Sequence, residues 1–208
     1  METIAVIDFE STGEPTSRGG RATEVAIALL RDGRVVDRHQ SLMNAGAWIN
    51  SFAAELTGIT NAMIAKAPPA DRVMREAARF VGGLPMVAHN AAFDSGLWRA
   101  ELGRLGLDAP NVFACTMLLS RRVFPGAPDH KLGTLSRMLG IPPGRSHRAM
   151  DDAEACAGVL WRIQREMRAR HGLAGLPGHD LLARVQKVPK NKFAERMAQE
   201  AAGLLDLR

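Results

Sequence analysis

The stretch TEVAIALLRDGRVVDRHQSLM, residues 23–43, holds two apolar, β-branched runs that meet at Asp32-Gly33. An Asp-Gly pair between two such runs is a strong signal for a tight β-hairpin, because the turn needs left-handed backbone angles that these residues adopt easily. The preceding run TIAVIDF, residues 3–9, is typical of a buried strand. Together these segments predict three strands, most simply in an antiparallel meander.

Strand and helix patterns alternate along the rest of the chain. Buried strands are predicted at residues 84–90 and 111–117, each of which is a short apolar run. Helical periodicity with glycine or proline stops predicts helices at residues 71–83, 91–106, 130–140 and 149–170. Three strands followed by alternating strands and helices predict an α/β protein with a mixed sheet and helices on both faces.

The character of the sequence changes after His171. Residues 172–179, GLAGLPGH, have the composition of a linker. The next segment contains no acid between residues 184 and 192, but four basic residues, Arg184, Lys187, Lys190 and Lys192. We therefore predict a core domain over residues 1–170 and a basic C-terminal appendage over residues 171–208, made of a linker and a helix. The sequence leaves open what this appendage packs against.

The composition is that of a globular protein, with 46% hydrophobic and 24% charged residues in a chain of 208. No run approaches the roughly 18 apolar residues of a membrane span, and we expect neither a signal peptide nor a membrane partner. Cys115 and Cys156 lie in separate apolar stretches and are interpreted as reduced thiols of a cytoplasmic protein. The net charge of +5 favours a polyanionic partner, although a solvated basic surface alone would also explain it.

Carboxylates stand where the patterns predict buried faces. Asp8 and Glu10 close the first strand, and because strand side chains alternate, both share a face with Ile4 and Val6. Asp94 heads the apolar stripe of its helix, which continues through Leu97, Trp98, Leu102 and Leu105. Taken singly, each acid would also fit a strand end that turns to water or a helix N-terminus that favours negative charge.

Two adjacent acids, Asp151 and Asp152, begin the long helix. The residues that share a helix face with Asp152 are all apolar, namely Ala155, Cys156, Val159 and Ile163. The corresponding residues for Asp151 are largely polar, namely Glu154, Ala155, Gly158 and Arg162. We therefore predict that Asp152 lies on the buried face as a metal ligand, whereas Asp151 is an ordinary acid of the first helical turn.

The four semi-buried acids and His147 form one candidate site. An all-carboxylate set suits Mg²⁺ or Mn²⁺ rather than zinc. Two such ions about 3.5–4 Å apart can stabilise the attacking and leaving oxygens of a phosphodiester. A histidine can deprotonate the attacking water near neutral pH. The basic charge of the chain would then attract nucleic acid as the substrate.

Three segments carry a family resemblance: VIDFESTG (6–13), HNAAFDSGLWRAEL (89–102) and HRAMDDAEA (147–155). In order and spacing they resemble the three motifs of the DEDDh (DnaQ-like) 3′→5′ exonuclease family, which includes the proofreading subunit of bacterial DNA polymerase III and stand-alone relatives. The resemblance covers roughly residues 1–165. It implies a ribonuclease-H-like fold and hydrolysis at the 3′ end of DNA with two Mg²⁺ or Mn²⁺ ions, so that residues 1–170 would be the exonuclease domain.

The resemblance also implies a role for each residue of the candidate site. Asp8 would bridge both metal ions, and Glu10 and Asp152 would hold the ion that carries the nucleophilic water. Asp94 would support the second ion, directly or through water. His147 would be the general base, and a sister subclass that uses tyrosine there is excluded because the chain has no tyrosine.

Substrate contacts are implied by the same motifs. Backbone and hydroxyl groups of Ser11 and Thr12 would meet the terminal nucleotide, and the other candidates near it are Phe9, Ile59, Asn90, Phe93 and His147. The chain departs from the family pattern at Thr57, where the proofreading group often has a histidine, and this departure weakens a nucleotide contact there. Trp48 fits either the core or a substrate platform, and the sequence does not decide between them.

Partners and rival functions complete the interpretation. A DNA polymerase or sliding clamp is a further candidate partner, although the ending LLDL (204–207) only faintly resembles a clamp-binding peptide. The first rival function is an oligoribonuclease-like enzyme that trims RNA, because nothing in the motifs reads the sugar. The second is a catalytically silent module that binds nucleic acid or a polymerase. Metal-dependent cleavage and a paired DNA and RNA digestion would separate these functions.

Overall fold

The computed structural model describes residues 2–142 and 148–203. His147 and the LLDL segment at residues 204–207 therefore lie outside the described residues. The strands are β1 (Ile4–Ser11), β2 (Ala22–Arg31), β3 (Arg34–Leu42), β4 (Met86–Ala88) and β5 (Phe113–Cys115). The helices are α1 (Ser51–Thr57), α2 (Asn61–Ala65), α3 (Ala70–Val81), α4 (Ala92–Gly103), α5 (Thr116–Val123), α6 (Leu132–Met138), α7 (Ala149–His171), α8 (His179–Val185) and α9 (Phe193–Ala201).

The five strands form one mixed sheet in the order β3-β2-β1-β4-β5. β1, β2 and β3 are antiparallel neighbours, and β4 and β5 run parallel to β1. This arrangement confirms the predicted meander and the predicted mixed sheet. The strand predicted at residues 111–117 is shorter than expected, because helix α5 begins at Thr116 and only three residues pair with β4.

The hairpin between β2 and β3 turns at the predicted pair. Asp32 and Gly33 have φ angles of 52° and 77°, and Arg31 pairs directly with Arg34. Gly33 also lies against the indole of Trp161, where a Cβ atom would stand 2.5 Å from ring atom Cε2. A residue with a side chain at this position would therefore have an unfavourable backbone conformation and would clash with Trp161 of α7.

Helices cover both faces of the sheet. One hydrophobic cluster packs α3 and α4 against the sheet through buried residues such as Met74, Leu97, Trp98 and Leu102. The cluster on the other face belongs to α5, α6 and α7, and it also includes Leu182 and Val185 of α8 and Phe193 and Met197 of α9. The C-terminal segment therefore packs on the core, which answers the question that the sequence left open. The domain boundary at residue 170 stays a prediction.

Small residues let α7 approach the sheet closely. Ala26 and Ala28 of β2 meet Ala149 and Ala153 of α7 in a cluster that we name the alanine seam, and all four are fully buried. Because their side chains are single methyl groups, the first turn of α7 lies directly on β2. The seam brings the start of α7 to the end of the sheet at which β1 terminates.

Candidate active site

Three carboxylates converge at the carboxyl end of β1. Asp8 and Glu10 extend from the strand and Asp152 from the first turn of α7, and one oxygen of each lies within 4.8 Å of the others. All three side chains are half-buried. Asp8 and Glu10 share a face because strand side chains alternate, and α7 crosses that same face. We name Asp8, Glu10 and Asp152 the carboxylate trio.

Asp94 stands beside the trio and is held by the backbone. It is 1% exposed, and its Oδ1 accepts a hydrogen bond from the N–H of Phe9 at 3.1 Å. The fold explains this position. Because β4 is parallel to β1, the two strands end on the same side of the sheet, and α4 follows β4 there. The structure thus brings together the four acids that the sequence proposes as metal ligands.

The acids raise one another's affinity for protons. Burial raises the pKa of Asp8 well above its ordinary range, and the nearby Asp94, Asp152 and Glu10 raise it further. Burial, then Asp152, raise the pKa of Glu10 to about 7, and burial raises that of Asp94 to about 8 despite the hydrogen bond from Phe9. Such a cluster is stable at neutral pH only when protons or cations neutralise it.

The donor chemistry fits a hard divalent cation. All the oxygens are carboxylate oxygens, which Mg²⁺ and Mn²⁺ prefer. Elsewhere in the chain, buried acids are neutralised by arginine: Arg21 Nε lies 2.8 Å from Glu101 Oε1, and Arg148 Nη2 lies 3.2 Å from Glu24 Oε1. Among the ion pairs of the described residues, none joins Asp8 or Glu10 to a basic side chain. Asp8, Glu10 and Asp152 could therefore hold a metal ion, with Asp94 adjacent.

Exposure does not separate Asp151 from Asp152, because both are half-buried. Position does, because only the Asp152 carboxylate reaches Asp8 and Glu10. Asp151 instead lies near the guanidinium of Arg148, whose pKa it helps to raise after the larger effect of Glu24. The helical-face comparison therefore selects the residue that the structure places in the trio.

The candidate substrate contacts differ in accessibility. Phe93 is 46% exposed and Asn90 is exposed, with a left-handed φ of 62° just before α4. Phe9 and Ile59 are only 2% and 1% exposed, so their side chains pack in hydrophobic clusters beneath the surface. Substrate contact by Phe9 and Ile59 stays a prediction, and their burial favours a supporting role.

Two hydroxyl candidates sit on the segment that follows β1. Ser11 is half-buried, and its Oγ accepts a hydrogen bond from the N–H of Gly13 at 3.3 Å. Thr12 is 2% exposed, and its Oγ1 accepts from the N–H of Arg21 at 3.2 Å. The Thr57 hydroxyl donates to the carbonyl of Ala53 at 2.8 Å and serves its own helix. The contacts of Ser11 and Thr12 with a nucleotide stay predictions.

Trp48, which the sequence left ambiguous, and His89 of the second motif have clear environments. Trp48 is 79% exposed, which excludes the core. His89 is held between Thr116 Oγ1 at 2.9 Å and the carbonyl of His130 at 3.0 Å, and burial lowers its pKa to about 4. His89 is therefore neutral at neutral pH, and both of its ring nitrogens are engaged in hydrogen bonds within the fold.

Glu24 is a residue that the sequence reasoning missed. It lies on β2, is 1% exposed, and is paired directly with Glu10 across the β1–β2 ladder. A single acid in the strand TEVAIALL is easily assigned to the wet face. A signal was available in the sequence, since strand alternation places Glu24 on the same face as the apolar Ala26 and Ala28, both of which are buried in the structure.

Comparisons with known proteins agree with this geometry. A family model described as Exonuclease (RNase_T) matches residues 5–160. The "3'-5' exonuclease DinG" of Bacillus subtilis (strain 168) is 33% identical over 166 residues, which are 79% of this chain and 18% of that protein. A "DNA polymerase III PolC-type" protein of Halalkalibacterium halodurans is 32% identical over 168 residues, 80% of this chain and 12% of that protein. This chain thus spans under a fifth of either relative's length.

A solved structure supports the same fold. Exonuclease X in complex with 5′ overhanging duplex DNA has a TM-score of 0.68 and 28% identity, over 88% of this chain and 99% of that chain. The ribonuclease-H-like fold predicted from the motifs is thereby confirmed.

In residues 2–142 and 148–203, no helix has the length and apolar character needed to cross a membrane.

Proposed function

Because this chain belongs to the DEDDh exonuclease family, we propose that it is a divalent-metal-dependent exonuclease that removes nucleotides from the 3′ end of DNA. The observation that carries the proposal is the carboxylate trio, with Asp94 beside it. Four ionised acids on buried faces destabilise a fold unless a cation or protons neutralise them, and a cation can do so where the acids are ionised. A catalytically silent module would have no use for them, which disfavours that rival function.

Each residue of the site has a proposed task. Asp8, Glu10 and Asp152 would hold Mg²⁺ or Mn²⁺, and Asp94 would complete the binding of a second ion. When bound, the cations would supply positive charge that stabilises the phosphodiester and the departing oxygen. His147 would accept a proton from the attacking water, and exposed Phe93 and Asn90 would lie against the terminal nucleotide.

DNA is favoured over RNA as the substrate because of the relatives. One is named a DNA polymerase, and exonuclease X was solved with duplex DNA. The PolC-type relative also supports a DNA polymerase as a candidate partner of this chain. The free, buried thiols of Cys115 and Cys156 suit the reducing cytoplasm that we propose as its location.

Digestion of matched 5′-labelled DNA and RNA oligonucleotides tests the proposal. With Mg²⁺ or Mn²⁺ we expect a ladder of 3′-shortened DNA products, and with EDTA we expect none. Faster shortening of RNA would favour the RNA-trimming rival, since the 2′-hydroxyl is the group by which a protein distinguishes RNA from DNA. Full hydrolysis in EDTA would contradict the metal-dependent mechanism.

Replacement of His147 tests the proposed general base. His147→Ala should slow single-turnover cleavage by roughly 10²–10⁴-fold, the usual contribution of a general base. Mn²⁺ affinity should stay near that of the parent protein, because His147 is not proposed as a ligand. A loss of Mn²⁺ affinity with a normal cleavage rate at saturating metal would show that the role is assigned wrongly.

A further inference from the structure

Glu24 is a buried acid whose two oxygens both accept hydrogen bonds from the protein. Oε1 accepts from Gln40 Nε2 at 2.9 Å and from Arg148 Nη2 at 3.2 Å, and Oε2 accepts from the N–H of Ala149 at 3.3 Å. The side chain is 1% exposed. With its acceptor positions directed at these donors, Glu24 is not arranged as a metal ligand, and it does not belong to the trio.

The donors show which element Glu24 serves. Ala149 is the first residue of α7 and Arg148 is its N-cap, and the Arg148 side chain forms no capping hydrogen bond. The first N–H groups of a helix lack partners within the helix, and negative charge is favourable there. Glu24 therefore caps α7 from a neighbouring strand, as a local Asp or Ser does in other helices.

The position of Glu24 links the cap to the metal site. Glu24 and Glu10 are paired residues of the β1–β2 ladder, so their side chains stand on the same face of the sheet. Asp152 follows Ala149 by one helical turn. At this end of the β1–β2 pair, β1 thus carries Glu10 of the trio and β2 carries Glu24. Glu24 binds the first residue of α7, the helix that bears Asp152.

The charges agree with this arrangement. Glu24 and Glu10 repel each other, since Glu24 is among the groups that raise the pKa of Glu10. The guanidinium of Arg148 is attracted to both, and it is hydrogen-bonded to Glu24. Arg148 therefore allows a structural carboxylate to lie directly beside a metal-binding one.

We propose that Glu24 is a positioning residue that sets the place of Asp152 relative to Asp8 and Glu10 by capping α7 and binding Arg148. This inference rests on the proposed function, because it assumes that the trio holds metal. Residues that orient metal ligands typically contribute roughly 10–100-fold to metal affinity or activity.

Glu24→Gln is the test variant because it preserves the side-chain volume. Its amide can accept at one oxygen only, so either the Ala149 N–H or the Gln40 and Arg148 donors lose their acceptor. We expect the Mn²⁺ dissociation constant, measured by titration calorimetry, to rise roughly 10–100-fold. The Mg²⁺ concentration that gives half-maximal single-turnover cleavage should rise by a similar factor.

Glu154→Gln is the matched control on the same helix. Glu154 forms an exposed ion pair with Arg38, lies two residues beyond Asp152, and takes no part in the hydrogen bonds of Glu24 with Gln40, Arg148 and Ala149. This variant should keep parental metal affinity. A purely structural role of Glu24 would lower the melting temperature in EDTA and leave the Mn²⁺ dissociation constant unchanged, and that result would overturn the inference.

Two further outcomes are separable. A parent protein that neither binds Mn²⁺ nor needs metal for cleavage would overturn the proposed function and, with it, this inference. If Glu24→Gln does not fold, Arg148→Lys takes its place, since lysine keeps the charge but cannot present the guanidinium fork to Glu24. Unchanged Mn²⁺ affinity in folded Arg148→Lys would then overturn the inference.

Discussion

Asp151 and Asp152 are adjacent acids with comparable exposure, yet only Asp152 lies in the carboxylate trio. Successive helix residues point about 100° apart, so one carboxylate is directed at the end of β1 and the other toward Arg148. The proposed difference in function rests on this direction. The direction could be predicted from the residues three, four, seven and eleven positions further along the helix.

Exchange of each acid for its amide tests the assignment. Asp152→Asn should abolish single-turnover cleavage at moderate Mg²⁺, because the trio loses a charged ligand. In EDTA its melting temperature should stay the same or rise, since a repelling charge has been removed. Asp151→Asn should cleave within a few-fold of the parent and lose at most about 0.3–1 kcal/mol of helix stabilisation. Loss of cleavage in Asp151→Asn together with normal cleavage in Asp152→Asn would refute the assignment.

The pKa of Glu10 predicts how stability depends on pH without metal. The folded protein holds this proton up to about pH 7, whereas the ordinary value is 4.5, so between these values the folded state binds more protons than the unfolded state. The contribution of Glu10 to the free energy of unfolding is therefore fully present below about pH 4.5 and is lost as the pH rises through about 7. Asp94 extends the loss to about pH 8.

Melting curves in EDTA across this range check the prediction. Relative to Glu10→Gln, the parent protein should lose melting temperature as the pH rises. Added Mg²⁺ should raise the melting temperature more at pH 8 than at pH 5.5, because metal and protons compete for the same oxygens. Equal Mg²⁺ effects at both pH values would mean that the carboxylates do not bind the ion.

At the scale of elements, the sequence patterns predicted the turns and helices that depend on interactions between neighbouring residues. The Asp32-Gly33 turn, the amphipathic α3 and the long α7 all appear within a few residues of their predicted bounds. The length of β5 could not be predicted, because it depends on pairing with β4 and not on its own apolar run. The Glu24 cap was missed for a similar reason, since Ala149 lies 125 residues away in sequence.

The outer edge of β5 shows such a long-range contact clearly. The Gln186 amide accepts from the N–H of Cys115 at 2.7 Å and donates to the carbonyl of Phe113 at 3.0 Å, so it pairs with β5 as a further strand would. Gln186 is 5% exposed. One side chain of the segment after α8 thus covers the edge of the sheet.

Gln186→Glu should therefore destabilise the fold. The carboxylate keeps an acceptor for Cys115 but places negative charge against the Phe113 carbonyl, and a lost buried hydrogen bond costs about 1–3 kcal/mol. Exposed Lys187→Gln, the neighbouring control, should change stability by less than about 0.5 kcal/mol. Urea unfolding of both variants provides the comparison, and equal midpoints would show that the edge contact is unimportant.

At the scale of the whole molecule, the C-terminal segment is integrated into the fold. Its linker-like composition and basic run predicted an appendage. The apolar residues of this segment form only short patterns, and such patterns do not reveal which part of the core the segment packs against. In the structure, Leu182, Val185, Phe193 and Met197 are at most 4% exposed within the core cluster of α7. His179 is also buried and bonds to the carbonyl of Met86 at 2.9 Å.

Deletion of residues 171–208 should consequently prevent stable folding. Burial of an apolar side chain contributes about 1.5–3 kcal/mol, so four of them represent a large part of the about 5–15 kcal/mol that stabilises a typical domain. We expect the truncated chain to melt without a cooperative transition and to bind a hydrophobic dye. A cooperative melt and normal cleavage of a short oligonucleotide would instead establish residues 1–170 as an autonomous exonuclease domain.

The alanine seam limits how this protein can evolve. A mutation that enlarges any of Ala26, Ala28, Ala149 or Ala153 must lift α7 from β2, because interiors have no room for an added methylene. The lift would separate Asp152 from Asp8, so descendants would lose the proposed cleavage of nucleic acid even where the fold survives. Lineages selected for this proposed activity should therefore exchange Val, Ile and Leu elsewhere in the core while these four positions stay small.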